Sequence, residues 1–279
     1  MSDSSADAAA RTATNPEIEP GTESAAVGEA IRLRSVSVRF SIGGDRPLID
    51  ALVDVDLTVA TSERVALLGE SGAGKSTLLD VVAGLTPPTS GAVEVLGAPL
   101  DALRGRAMRR HRAAVGVVRQ AQGVPGAMRV VHNVNGGRLG SWSTWRAITS
   151  LVRPRRMDDV ERTLASVGLA GMSDRTTAEL SGGQQQRVAV ARALVEPRRL
   201  LLADEPVSAV DPRLSDDVLA SLCGAETRPA LVISLHDPDL ARRHVDRIIG
   251  LRDGRVLFDR PAGDVSDPDL DELYRVVPD

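Results

Sequence analysis

From Ile31 to Phe40 the chain alternates apolar and polar residues, Ile-Arg-Leu-Arg-Ser-Val-Ser-Val-Arg-Phe, the period-two pattern of a half-buried strand. Val53-Asp-Val-Asp-Leu-Thr-Val59 repeats the pattern, and the turn residues Gly43-Gly-Asp-Arg-Pro47 lie between them. Together they predict an antiparallel β-layer. Val65-Ala-Leu-Leu68 is continuous and apolar, as a strand buried on both faces must be. A helix is expected over Lys75–Ala83, closed by Gly84, and a strand over Ala92–Leu96. From about residue 101 to 180 arginines are frequent, and apolar positions fall at helical spacing (Val160, Leu164, Val167); a mostly helical insertion is expected there. Apolar runs at Leu200–Ala203 and Ala230–Leu235 predict parallel strands. Asp211-Pro212 predicts a helix start, and Asp253-Gly254 a hairpin turn. A short helix is expected at Leu270–Val276. Residues 1–29 are polar and aperiodic and read as a disordered acidic tail, leaving 30–279 as one folded domain.

Composition narrows the classes. Net charge is −4, which argues against a nucleic-acid partner bound through a basic surface. A single cysteine, Cys223, excludes an internal disulfide and reads as a small apolar filler. No apolar run reaches the ~20 residues that span a bilayer, and no signal peptide is evident, so a cytoplasmic protein is expected. Among 34 cationic side chains only Lys75 is lysine; the rest are arginine. A compact ammonium and a planar guanidinium are different tools. The surroundings of Lys75 explain the exception.

Gly69, Glu70, Ser71, Gly72, Ala73, Gly74, Lys75 and Ser76 fit the G-x-x-x-x-G-K-[ST] pattern, and Thr77 follows. The pattern falls between a predicted strand and a predicted helix. Glycines let backbone N–H groups converge on phosphate oxygens, and the helix turns its positive end to the same anion. Lys75 reaches the outer phosphates, and the Ser76 hydroxyl can ligate Mg²⁺. A nucleoside triphosphate with Mg²⁺ is the expected ligand, and the motif does not say which nucleotide. At Arg199-Leu-Leu-Leu-Ala-Asp-Glu205 an apolar strand ends in two carboxylates. Asp204 can hold Mg²⁺, and Glu205 can polarise an attacking water.

Leu180-Ser-Gly-Gly-Gln-Gln-Gln-Arg187 resembles the signature motif of ABC-type ATPases. The resemblance implies an α/β fold: a P-loop NTPase (RecA-like) core with an antiparallel β-layer and a helical subdomain at about 101–180. It implies that Ser181, Gly182, Gly183 and Gln184 meet the nucleotide held by a second subunit, so that two chains sandwich ATP head to tail. By position, Gln120 resembles the glutamine that contacts Mg²⁺ and senses the transport partner. Asp211 resembles the loop aspartate that reaches across the dimer, His236 the switch histidine, and Phe40 the ring that stacks on adenine. Glu205, His236 and Gln120 are then the expected catalytic set, and Ser76, Gln120 and Asp204 the metal set.

One set of motifs without a membrane span implies a subunit docked on a separate permease at the inner face of the membrane. Asn133-Val-Asn-Gly-Gly-Arg-Leu-Gly140, Ser143-Thr-Trp-Arg146, Ser234–Leu240 and Asp246–Arg252 resemble phosphonate-import ATPases. That implies an importer of phosphonate or a related phosphorus oxyanion, served by a solute-binding protein. An exporter or lipoprotein-releasing complex and a soluble, non-transport ATPase are the alternatives. Trp142 and Trp145 are expected in the subdomain core. The chain departs from the family at Arg119 and at Ala121–Met128, where an aromatic or bulky apolar group usually faces the permease.

Overall fold

The computed structural model describes residues 28–41, 48–119, 125–142, 145, 149, 156–225 and 227–275. The expectations for the tail up to residue 27, for Gln120 and for Ser143, Thr144 and Arg146 lie outside these residues.

Two sheets share one body. Strands β1 (Glu29–Phe40), β2 (Ile49–Ala60), β4 (Ser90–Val95) and β5 (Ala98–Pro99) form an antiparallel sheet in the order β2-β1-β4-β5. The folded domain thus starts in strand at Glu29, one residue inside the expected tail. The second sheet takes β3 (Arg64–Leu68), β6 (Val115–Val118), β7 (Leu200–Asp204), β8 (Ala230–Ser234), β9 (Arg247–Arg252) and β10 (Arg255–Pro261), in the order β10-β9-β3-β8-β7-β6. All its pairs are parallel except the β9–β10 hairpin. Asp253 and Gly254 take φ of 49° and 73°, the left-handed turn that matches strand twist.

The central strands are apolar throughout because both faces are covered. Val65, Leu67, Leu200, Leu202, Val232 and Ile249 face the antiparallel sheet and helix α1 (Lys75–Val82). Ala66, Leu68, Leu201, Ala203, Leu231 and Ile233 face the other way, into the main helical layer. That layer contains α3 (Val130–Asn135), α4 (Met157–Ser166), α5 (Gly182–Leu194), α6 (Pro212–Cys223) and α7 (Pro238–His244), while α2 (Gly105–Ala114) leads into β6. The last helix, α8 (Asp267–Leu273), begins at a Ser266 cap and ends before the expected limit.

Residues 101–180 are not helical throughout. β6 lies inside them and forms the edge of the main sheet, paired with β7. Its four residues sit directly after an arginine-rich helix, so the short apolar run is hidden in the pattern. A Cβ on Gly116 would come within 2.6 Å of Leu201 Cδ2, so glycine is what lets this edge strand pack. Trp142 is buried as expected, but Trp145 is 76% exposed and is not core. Cys223 packs against the core from a partly buried position. No helix of the described residues is long and apolar enough to cross a membrane.

Candidate nucleotide site

Three neighbouring strands end on one edge. β3 runs into Gly69, β8 runs into His236 by way of Leu235, and β7 ends in Asp204 with Glu205 next in the chain. Because β8 lies between β3 and β7, their carboxyl ends converge on one crevice, the place where open α/β sheets take ligands.

The loop from Gly69 to Gly74 is shaped by what surrounds it. A Cβ on Gly69 would collide with Leu251 O, and one on Gly74 would come within 2.6 Å of Ala51 O. Gly72 and Gly74 also take φ of 86° and 103°, the left-handed region that disfavours side chains. The hairpin turn supports the loop from below, with Gly254 N donating to Ala73 O at 3.2 Å. Lys75 is buried, and its Nζ donates to Gly69 O at 2.7 Å and Glu70 O at 2.9 Å. Burial pushes the Lys75 ammonium below its ordinary value, and the facing Glu205 and Asp204 carboxylates oppose the shift. Glu70, Ser71, Gly72 and Ser76 are exposed, so the cradle opens outward.

Asp204 accepts from Ser234 Oγ at 2.7 Å. The same hydroxyl accepts from Glu205 N at 2.9 Å. His236 Nε2 donates to Glu205 Oε1 at 2.5 Å. Glu205 itself has φ of 46°, a conformation a non-glycine residue holds only under constraint, at about 1–3 kcal/mol. A cleft of about 360 Å³ lies behind this pair, lined by Glu205, Ser208, Ser234, His236 and Asp237. The Ser76 hydroxyl and the Asp204 carboxylate supply hard oxygen donors of the kind Mg²⁺ takes when phosphate completes its shell. Among the described residues there is no cluster of three His, Cys, Asp or Glu that would hold a metal unaided.

The second constellation lies apart from the strand edge. Ser181 caps α5: Gln184 N donates to Ser181 Oγ at 3.3 Å, and Ser181 N donates to Gln184 Oε1 at 2.9 Å. Ser181 and Gly182 are exposed. A Cβ on Gly183 would come within 2.5 Å of Ala209 O, so the helix start rests on the loop that follows Glu205. Asp211, at the end of that loop, caps α6 through Arg213 N at 2.9 Å. Phe40 ends β1 opposite Ile49 and is 42% exposed, outside either core cluster.

Ser234 was not singled out from the sequence, although a lone hydroxyl closing an apolar strand beside His236 is a usable signal. Neither was Gln186, whose Nε2 donates to Glu205 O at 2.7 Å.

The ABC transporter family profile matches residues 52–208. The "Phosphonates import ATP-binding protein PhnC 1" of Pseudomonas syringae pv. tomato is 44% identical over 246 residues, 88% of this chain and 91% of that protein. The protein named "Phosphonates import ATP-binding protein PhnC" from Pseudomonas putida is 45% identical over 247 residues, 88% and 90% of the two chains. Among solved structures, a dimeric bacterial ABC transporter cassette superposes with a TM-score of 0.74 at 28% identity, covering 83% of this chain and 98% of that one. A bacterial Atm1-family ABC exporter with ATP bound gives 0.70 at 25% identity, covering 85% of this chain and 39% of that one. The fold is therefore shared with the cassette of an exporter and does not by itself give a transport direction, and the sequence relatives are the more specific guide. The chain belongs to the ABC transporter family, as one of its ATP-binding, ATP-hydrolysing members.

Proposed function

We propose that this chain powers an importer of phosphonate or a related phosphorus oxyanion, working as a head-to-tail pair on a separate membrane permease. The cytoplasmic face of the membrane is where such a pair docks, with a solute-binding protein delivering cargo on the other side. The import reading and the cargo are supported by the relatives at 44–45% identity across nearly the whole chain. The ATPase reading is carried by one observation: Lys75 is buried in its loop after β3, on the same sheet edge where His236, after β8, holds the Glu205 carboxylate at 2.5 Å.

The reaction follows from these positions. The triphosphate enters the cradle of 69–77 with adenine against Phe40. Lys75 exchanges its bonds to Gly69 O and Glu70 O for phosphate oxygens, which are better partners because they are charged. Ser76, Asp204 and Gln120 would hold Mg²⁺, which would supply neutralisation of the phosphate charge. Glu205 orients water in line with the γ-phosphoryl group and takes its proton, and His236 keeps the carboxylate aimed. Ser181, Gly182, Gly183 and Gln184 of the opposite protomer close over the same phosphate with the positive end of α5, while Asp211 lies along the interface. Closure and reopening of the pair then move the permease near Gln120.

A test is growth of the source cell on an alkylphosphonate as the sole phosphorus source. Growth is expected to fail when this gene is deleted, to return with the intact gene, and not to return with Lys75→Ala. Undiminished growth of the deletion strain would contradict the cargo and leave the ATPase chemistry standing.

A further inference from the structure

Glu205 is held by its backbone as well as by its carboxylate. Its N–H donates to Ser234 Oγ from β8. Its carbonyl accepts from Ser208 N at 3.3 Å and Ser208 Oγ at 3.1 Å, both within the same turn. The third donor to that carbonyl comes from another element: Gln186 Nε2, at 2.7 Å, from the second turn of α5. This is the shortest of the three, and it spans 19 residues of sequence. The positive φ of Glu205 requires such constraint, because the residue would otherwise relax toward the right-handed or extended region and swing its side chain.

The other end of the Gln186 amide is informative. Gln186 is 1% exposed, and its Oε1 is buried with no hydrogen-bond partner among the described residues. A buried acceptor left unmade costs about 1–3 kcal/mol, more than a typical net hydrogen bond returns. For stability alone, an apolar side chain of the same length would serve at least as well at this position. What an apolar side chain could not do is hold the Glu205 carbonyl.

We infer that Gln186 is a positioning residue for hydrolysis: it holds the Glu205 carbonyl, and so aims the carboxylate, from the helix that opens at Ser181. The inference rests on the reading of Glu205 as the base. It also gives the two halves of the clamp a physical link within one protomer. The start of α5 sits on Ala209 through Gly183, and its second turn grips Glu205 through Gln186. A shift of α5 when Ser181 meets the opposite nucleotide is therefore felt at this protomer's own base.

The test is Gln186→Met in the full chain, with Gln186→Leu as a second apolar replacement. Steady-state hydrolysis is expected to show kcat reduced about tenfold or more, with KM for ATP within about twofold and the melting temperature not lowered. In a Glu205→Gln background, adding Gln186→Met is expected to cost nothing further, because a residue that acts through the carboxylate has nothing left to position. Parental kcat in both apolar variants overturns the inference, as does a further loss of about tenfold in the double variant. If Glu205→Gln alone hydrolyses ATP at the parental rate, the base assignment fails and takes this inference with it. Parental kcat in Gln186→Met beside an inactive Glu205→Gln defeats the Gln186 role alone.

Discussion

The phosphate loop and the start of α5 are both glycine-bearing turns that open a helix, yet they sit in opposite surroundings. The loop at 69–74 is seated in the core. Its glycines press on Leu251 and Ala51, the hairpin turn bonds Ala73, and Lys75 is buried among its own carbonyls. The start of α5 is presented to solvent, with Ser181 and Gly182 exposed, although a capping box and the contact of Gly183 with Ala209 fix its geometry. One half of the clamp is complete within a protomer, and the other is finished in shape but has its anion to find. Under the proposed head-to-tail pairing, a single chain binds the nucleotide and a second copy encloses it.

The comparison can be broken at either half, and the expected losses differ in kind. Lys75→Ala removes the only ammonium of the chain from the buried half. ATP affinity should fall about 100-fold, the worth of charged hydrogen bonds lost from a closed cradle, and a calorimetric titration checks it. Unchanged affinity would show that the loop binds phosphate by backbone alone. Gly183→Ala strikes the exposed half. Its Cβ would push Ala209 O away from 2.5 Å. Hydrolysis should fall about tenfold, while ATP binding to the isolated protomer stays within about twofold. Equal loss of both would mean that the halves are not separable. The smallest effect concerns Cys223, on α6 and outside both halves. Burial pushes its thiol up to about 11 from an ordinary 9.0. At a given neutral or mildly alkaline pH the thiolate fraction, and so the alkylation rate, should be about 100-fold below that of an ordinary thiol. Iodoacetamide labelling followed by mass spectrometry measures this.

Legibility in the sequence followed the range of the interactions. The phosphate loop, the Asp253-Gly254 hairpin and the Asp211-Pro212 helix start depend on a few adjacent residues, and local rules find them. β6 was hidden because Val115–Val118 is four residues long and follows α2, whose arginines dominate any longer window. Trp145 is exposed where core was expected, because aromatic character alone does not say which way a side chain faces. Gln186 lies out of reach, and Ser234 is legible only as a hydroxyl near the end of its strand, for a stronger reason. Their roles exist only because β8, β7 and α5 are brought together by long-range pairing, 29 and 19 residues from Glu205. The residues proposed to do the chemistry stand in local motifs, whereas those proposed to aim them are brought beside Glu205 only by the fold.

The shared clamp is tested most directly by the mass of Glu205→Gln in solution, measured by light scattering on a sizing column with and without saturating Mg²⁺–ATP. Binding without turnover should convert the protein from monomer to dimer when ATP is added, and return it to monomer when the nucleotide is removed. A protein that binds ATP at the loop yet stays monomeric at saturation would contradict the account.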